Sequence, residues 1–467
     1  MRLPKSQFTA EKYSFAKRAA TLAPFALVLA AVTFNFVLCF INTNIASIIT
    51  PSSVMLAELV IISFAFLASI RFLNLTYLVL IAATVTYILT LSLVRWGVSP
   101  EHGFDIKIVR DFLIPIAFFM LGMTIKKLHH VDVAVKWISA ITLSFATFEY
   151  FYLETFLKYF DVLKYYIARG TIAESDLTHA FLVSGGLYFS GIRPEAQGRA
   201  LFPFLGDHRV SSIFLEPISL GYFGIIVFMW GLVMSRIDRK IHFFSLSTGL
   251  FCIVLSDSRF GAGIIIVATI LTFMPVRLSH FGVLLLPLFL VFGLLLLPEF
   301  FNLSRDLSLS GRLSYSARVL TDFDAWNWLG FEASRLQTFD SGYAYLFSGV
   351  GILGFAVFWV IFLSIKGRSV YFDMFRNSSA AYFAIALCIG EGQLTIKTAS
   401  LLWFMLGALA ITWVPAPQKE MARARRSRSV FPLSPAAGGA YQPLRIDGPA
   451  SLRAAPVVGR YNHGMSR

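Results

Sequence analysis

The sequence predicts an all-α fold, that of a polytopic integral membrane protein with about twelve transmembrane helices and two large loops on its outer face. Three observations carry this. Of the 467 residues, 57% are hydrophobic and 14% charged, whereas a soluble domain carries about a quarter charged residues. Mean hydropathy is +0.71. Apolar runs of roughly 17–25 residues, the length that crosses a bilayer core, recur along the chain and alternate with loops that are by turns rich and poor in Lys and Arg.

The predicted spans are 22–41, 54–70, 75–94, 108–125, 133–152, 210–233, 241–256, 260–275, 281–298, 342–365, 379–394 and 398–414. The runs at 241–256, 260–275 and 379–394 are short enough to be tilted, broken or re-entrant. Residues 1–21 form a cytoplasmic N-terminal segment in which Lys5, Lys12, Lys17 and Arg18 precede the first run. That run reads as an uncleaved signal-anchor, because a cleavable signal has a shorter apolar core and a small-residue cleavage site. With the N-terminus inside, the inner segments carry Arg71, Lys126, Lys127, Lys136, Arg236, Arg239, Lys240, Arg277, Lys366, Arg368 and Arg376, while residues 42–53 on the other face carry no Lys or Arg. The alternation predicts that both termini are cytoplasmic. Residues 415–467, rich in Pro, Ala, Gly and Arg, read as a disordered basic cytoplasmic tail. Its RARRSR stretch fits a topogenic anchor to anionic lipid.

The formal net charge of +14 is therefore topogenic and not the footprint of a nucleic-acid partner. The three cysteines, Cys39, Cys252 and Cys388, lie inside apolar runs and read as small buried hydrophobes. The eight histidines form no metal constellation. There is no GxxxxGK[ST] loop and no HExxH. No metal and no cofactor is expected.

Two outer segments break the short-loop pattern, residues 153–209 and 299–341. Loops of that length inside a compact protein are usually functional. The aromatics of YFDVLKYYIARG in the first suggest elements lying on the membrane surface. In the second, Arg312, Tyr315, Arg318 and Val319 fall at helical spacings, so a short helix there would aim two arginines the same way.

The central stretch is DHRVSSIFLEPISLGYFG, residues 207–224, where the first long loop enters a span. It holds Arg209 and Glu216, and an ionised group near mid-membrane costs at least a few kcal/mol unless it faces a cavity or a partner. Pro217 removes a backbone donor, and Gly221 and Gly224 permit close packing. The outer face presents Arg193, Arg199, Arg209, Arg259, Arg305, Arg312, Arg318 and Arg335, against the lysines Lys107, Lys158, Lys164 and Lys397. Arginine binds phosphate and carboxylate bidentately and stays charged in a dry site. The set points to an anionic substrate, a lipid phosphate or pyrophosphate. Taken singly, each arginine also fits an ordinary loop ion pair.

Among the carboxylates Glu216, about two turns inside the sixth span, fits either an ion pair with Arg209 or another buried arginine, or a general base or hydrogen-bond acceptor for a sugar hydroxyl. Asp257 and Arg259 flank Ser258 in SDSRFGAG, as a local pair or as part of the same cavity. Asp340 and Tyr343 open the tenth span, Asp340 as a helix N-cap or a site residue. Glu391, at the tip of the last hairpin, is a weaker candidate. His208 fits a solvated loop histidine, a phosphate ligand or a proton relay.

The order of RVSSIFLEPISLG, SDSRFGAG, LSGRLSYSARVL and LGFEASRLQTFDSGYAYLFSGVGILG, across residues 207–354, resembles the Wzy-type polysaccharide polymerase and O-antigen ligase superfamily of bacterial inner membranes. The resemblance implies periplasmic placement of the two long loops. It also implies a metal-independent glycosyltransferase that polymerises polyprenyl-pyrophosphate-linked oligosaccharide repeat units into an exopolysaccharide, capsule or O-antigen chain. A chain-length regulator and a flippase of the same pathway are the further partners it implies. Arg209, Arg259, Arg312, Arg318, Arg335 and Tyr343 would bind pyrophosphate or glycan, and Glu216 and Asp340 would be the catalytic carboxylates. O-antigen ligases place a histidine shortly before the late span. Here no histidine lies between His280 and His463, which favours polymerase over ligase. A ligase, a lipid-linked oligosaccharide flippase and a structural partner of an assembly complex are the alternatives.

Overall fold

The computed structural model describes residues 5–46, 49–73, 75–98, 106–171, 186–188, 191–192, 201–300, 309–332, 338 and 341–414. Among these residues every regular element is a helix, and one isolated antiparallel bridge joins Ile192 to His208. The helices are α1 (Lys5–Asn44), α2 (Pro51–Ser69), α3 (Leu75–Val98), α4 (Ile106–Met123), α5 (Leu128–Phe151), α6 (Leu153–Tyr159), α7 (Val162–Ala168) and α8 (Pro217–Asp238). They continue as α9 (Phe243–Leu255), α10 (Arg259–Phe273), α11 (Val276–Phe300), α12 (Leu309–Thr321), α13 (Ala325–Leu329), α14 (Gly342–Ser364), α15 (Val370–Ala386) and α16 (Ile396–Ile411).

Among the described residues, seven stretches are long and apolar enough to cross a membrane: Leu22–Asn44, Pro51–Phe72, Leu75–Val98, Leu128–Phe151, Pro217–Asp238, Val276–Pro298 and Gly342–Ser364. The chain is a multi-pass, all-helical membrane protein. The other five predicted runs also meet helices. Of these, α9, α10 and α16 are apolar but have 13, 15 and 16 residues. Helix α4 carries Lys107, Arg110 and Asp111 in its first two turns, and α15 carries Asp373 and Arg376. The eleventh run is displaced: the helix is Val370–Ala386, not 379–394, and Glu391 lies on the connector to α16. The predicted tail, residues 415–467, lies outside the described residues.

Burial separates the centre from the rim. In α8, 78% of the apolar stretch is buried; in α3 and α11 the share is 17%. The most extensive helix contact joins α4 to α16, and two glycines allow it. A Cβ on Gly407 would stand 1.9 Å from the Phe119 carbonyl oxygen, and one on Gly122 would stand 2.1 Å from that of Phe404. The backbones touch, which is how apolar helices gain packing energy where lipid supplies no hydrophobic drive. Gly221 and Gly224 of α8 likewise pack closely, against Ser258 and Gly249.

Two local expectations are corrected. The sixth span does not begin at residue 210. Residues 212–214 form a 3₁₀ turn, Ser212 and Leu215 adopt left-handed φ of 52° and 59°, and α8 starts at Pro217. Proline suits a first helical position because its missing N–H would be unpaired there anyway. Glu216 is thus the N-cap of α8 and not two turns inside it. The YFDVLKYYIARG segment exposes Tyr159 and Lys164 but turns most of its aromatics inward. Val162, Leu163, Tyr165 and Tyr166 of α7 are buried, and the Tyr165 hydroxyl donates to Asn35 Oδ1 of α1 at 2.6 Å.

Gly407→Ala places a methyl group against a backbone carbonyl that cannot turn aside. It is expected to destabilise the bundle by about 1–3 kcal/mol, read as a lower thermal-unfolding midpoint in detergent. An unchanged midpoint contradicts the packing.

Candidate functional site

The segment entering α8 is built on one buried carboxylate. Glu149, on the last turn of α5, is 0% exposed. It accepts hydrogen bonds from the Ser211 N–H and hydroxyl, both at 3.0 Å, and from the Ser212 N–H at 2.5 Å, and it pairs with His208 Nε2 at 3.1 Å. Several charge-assisted bonds converge on one anion, and these outweigh its desolvation where a lone carboxylate would not be tolerated. The loop is thereby fixed on both sides of Arg209. The Arg209 N–H donates to Gly191 O at 2.7 Å, and the Val210 N–H to Leu255 O at 3.0 Å. The Arg209 side chain, 6% exposed, donates from Nε to Ser256 O at 2.9 Å.

Ser256 belongs to the tight turn between α9 and α10. Asp257 sits there at φ 48°, its Oδ1 accepts from the Leu201 N–H at 3.0 Å, and the Ser258 hydroxyl caps α10 by accepting from the Gly261 N–H at 3.0 Å. Arg259 is the first residue of α10 and is exposed. Helix α12, from the second long loop, brings in Arg312. These pieces enclose a pocket lined by Arg209, Arg259, Arg312, Asp257, Tyr222 and Phe260, with Ile218, Ser258, Leu309 and Ile389 completing the wall. Its cavity volume is about 50 Å³, room for a small group and well below the roughly 300–1,000 Å³ of sites that take a whole drug-sized ligand. Among the described lining residues three guanidiniums face one carboxylate. Three of the four described non-glycine residues with positive φ, namely Ser212, Leu215 and Asp257, lie in the segments that build it. Such conformations cost about 1–3 kcal/mol each and gather where function imposes them.

Several ion pairs, most of them withdrawn from solvent, join the helices around the start of α8 and the last connector. Lys397 of α16, 3% exposed, pairs with Glu216 at 2.5 Å and donates to Phe214 O at 3.3 Å; the Ser219 hydroxyl donates to the same carboxylate at 2.7 Å. Arg169, just after α7, stacks over Tyr166 at 5.9 Å and lies within electrostatic range of Glu216 and Lys397. Lys107 pairs with Glu391, and Arg110 with both Glu58 and Asp111. The Tyr345 hydroxyl donates to the free oxygen of Asp111 at 2.8 Å. The connector between α15 and α16 is thus clamped to α4 by Glu391 and to α8 by Lys397, and its Ile389 forms part of the pocket wall.

The structure brings together Arg209, Arg259 and Arg312 from the sequence-predicted set, with Asp257 beside them. Arg318 does not join them. It is exposed on α12, because a six-residue separation turns a helix through about 600°, which places the two arginines roughly 120° apart. Tyr343 lies apart from the pocket, fully buried, its hydroxyl donating to Ala384 O at 2.9 Å. The partner of Glu216 is a lysine, not an arginine. Ser341, not Asp340, caps α14. Asp340 and Arg335 lie outside the described residues, as do Arg193, Arg199 and Arg305. Sequence reasoning missed Glu149, Arg169 and Tyr222 and gave Lys397 no role. Glu149 carried a usable signal, a lone carboxylate inside an apolar run. No family model, curated protein or solved structure matches the chain.

Lys397→Met leaves Glu216 without its cation and is expected to cost about 3–5 kcal/mol. The double variant Lys397→Met, Glu216→Gln should recover much of that loss. Thermal unfolding of the two singles and the double closes the cycle, and additive effects contradict the pairing.

Proposed function

We propose that the chain is a metal-independent glycosyltransferase that polymerises polyprenyl-pyrophosphate-linked oligosaccharide repeat units into an exopolysaccharide, capsule or O-antigen chain. In this reading all twelve helical runs cross a bacterial inner membrane, both termini are cytoplasmic, and the pocket opens to the periplasm. The observation that carries it is the meeting of Arg209, Arg259 and Arg312, from three separate segments, in one pocket with a single described carboxylate. The motif order that resembles the Wzy-type polymerases and O-antigen ligases supports it.

The chemistry assigns roles to these groups. An acceptor hydroxyl attacks the anomeric carbon of the donor glycan, the bond from that carbon to the pyrophosphate oxygen breaks, and the lipid pyrophosphate departs with the electron pair. Fixed guanidiniums stabilise the charge that develops on the leaving oxygen, and a donor already in place at that point needs no reorganisation. Arg209 is fixed through Ser256. Glu216 is held as an anion by Lys397 and Ser219, which makes it a weak base. It stands outside the pocket lining, so its part is to fix the turn that carries Arg209 into α8, which leaves Asp340 as the candidate base. Arg335 stays a candidate ligand from the same loop. Arg318 and Tyr343 stand away from the pocket and are assigned no contact with substrate. A chain-length regulator and a flippase are the partners this reading adds.

The test is purified protein in nanodiscs with lipid-pyrophosphate-linked repeat units and no nucleotide sugar, metal or ATP. A ladder of lengthening chains is expected. Arg209→Ala and Arg312→Ala should each lower its rate by about 10²–10³ while the protein stays folded in the bilayer. Transfer to an added lipid A core without a ladder would make the chain a ligase. Movement of the lipid-linked units across a liposome bilayer, with no bond formed, would make it a flippase.

A further inference from the structure

Helix α14 is broken at Gly351, where φ is 69° and ψ is 161°. A break in a membrane helix strips carbonyls of their usual donors, and in a bundle these must find replacements. Here the peripheral helix α3 supplies them. Tyr87 donates its hydroxyl to Val350 O at 2.7 Å, and Arg95 donates from Nη2 to Gly349 O at 2.9 Å. Arg95 is 5% exposed, an expensive place for a cation unless it has a task.

The gap in α14 is filled by α13. A Cβ on Gly351 would stand 2.4 Å from Leu329 O, and one on Gly330, itself at φ 78°, would stand 2.7 Å from the Gly351 nitrogen. The Trp328 ring meets Phe347 of α14 at 5.2 Å and Phe323 at 5.7 Å. Residues 309–330 therefore form an arm. One end is keyed into the broken turn of α14, and the other presents Arg312 to the pocket. If α14 ran on unbroken, Gly349 and Val350 would bond within the helix and the seat of Leu329 and Gly330 would close.

We infer that Tyr87 and Arg95 are positioning residues for the arginine pocket: by holding α14 open at Gly351 they dock the arm that delivers Arg312. The inference rests on the pocket being an anion site, as proposed above, but its primary test does not. Spin labels at Asp322→Cys, at the end of α12, and Lys158→Cys, on α6, report the position of the arm. A control pair at Lys158 and Ile241 reports the bundle itself. The three labelled positions, Lys158, Ile241 and Asp322, are exposed, and the native Cys39, Cys252 and Cys388 are buried.

Tyr87→Phe removes one oxygen, and Arg95→Met removes the charge. Both are expected to broaden the arm distances, leave the control pair unchanged and weaken inorganic pyrophosphate binding about three- to tenfold. Arg95→Lys, which keeps a donor, should restore both. Gly351→Ala, which places a methyl group in the seat, should displace the arm most. Unchanged arm distances in Tyr87→Phe and Arg95→Met overturn the inference, as does equal broadening of the control pair. If no form binds pyrophosphate while the arm distances still broaden, the positioning role stands and the anion-site reading falls.

Discussion

The structure depends on how charge is compensated inside an apolar bundle. Glu149, Lys397, Glu58, Arg110 and Asp111 are all nearly withdrawn from solvent, and none of them would be tolerated there alone. Each has a specific partner, and the partners come from distant parts of the chain. Glu149 of α5 fixes the segment that carries Arg209. Lys397 of α16 fixes Glu216 and the turn before α8. Glu391 and Lys107 tie the last connector to α4. Removing one member of such a pair leaves an ion with nowhere to go, so the network confers geometric uniqueness more than net stability.

What the network holds in place is a pocket of opposite character. Its described lining has an excess of guanidinium over carboxylate, strained backbone at Asp257, and aromatic walls in Tyr222 and Phe260. Positive charge fixed before a ligand arrives stabilises an anion without reorganising on binding. Paired charge among the helices and an arginine-rich pocket beside it is the division of labour expected of a site mounted on a rigid scaffold.

Much of this was legible in the sequence, and the limits have physical causes. The apolar runs exposed the helical membrane fold because backbone satisfaction in lipid leaves few alternatives. Arg209, Arg259 and Arg312 could be grouped because all three interrupt apolar sequence on one side of the alternating loops. Lys397 could not be matched to Glu216, since 181 residues separate them and hydropathy carries no pairing information. The start of α8 was misplaced because Val210, Ile213, Phe214 and Leu215 continue the apolar run while left-handed turns at Ser212 and Leu215 interrupt the helix. The break in α14 was hidden by the hydrophobicity of SGVGILG, whose glycines serve close approach and one positive φ. The burial of α7 was missed because its tyrosines suit a membrane surface as well as a polar-capped core.

The most direct test of the central claim is a cryo-EM structure in nanodiscs with a polyprenyl pyrophosphate analogue whose bridging oxygen is replaced by methylene. The account predicts phosphoryl density within hydrogen-bonding distance of Arg209 and Arg312, with the Glu216–Lys397 pair intact. Phosphoryl density elsewhere on the protein, with the arginine pocket holding only water, would contradict it.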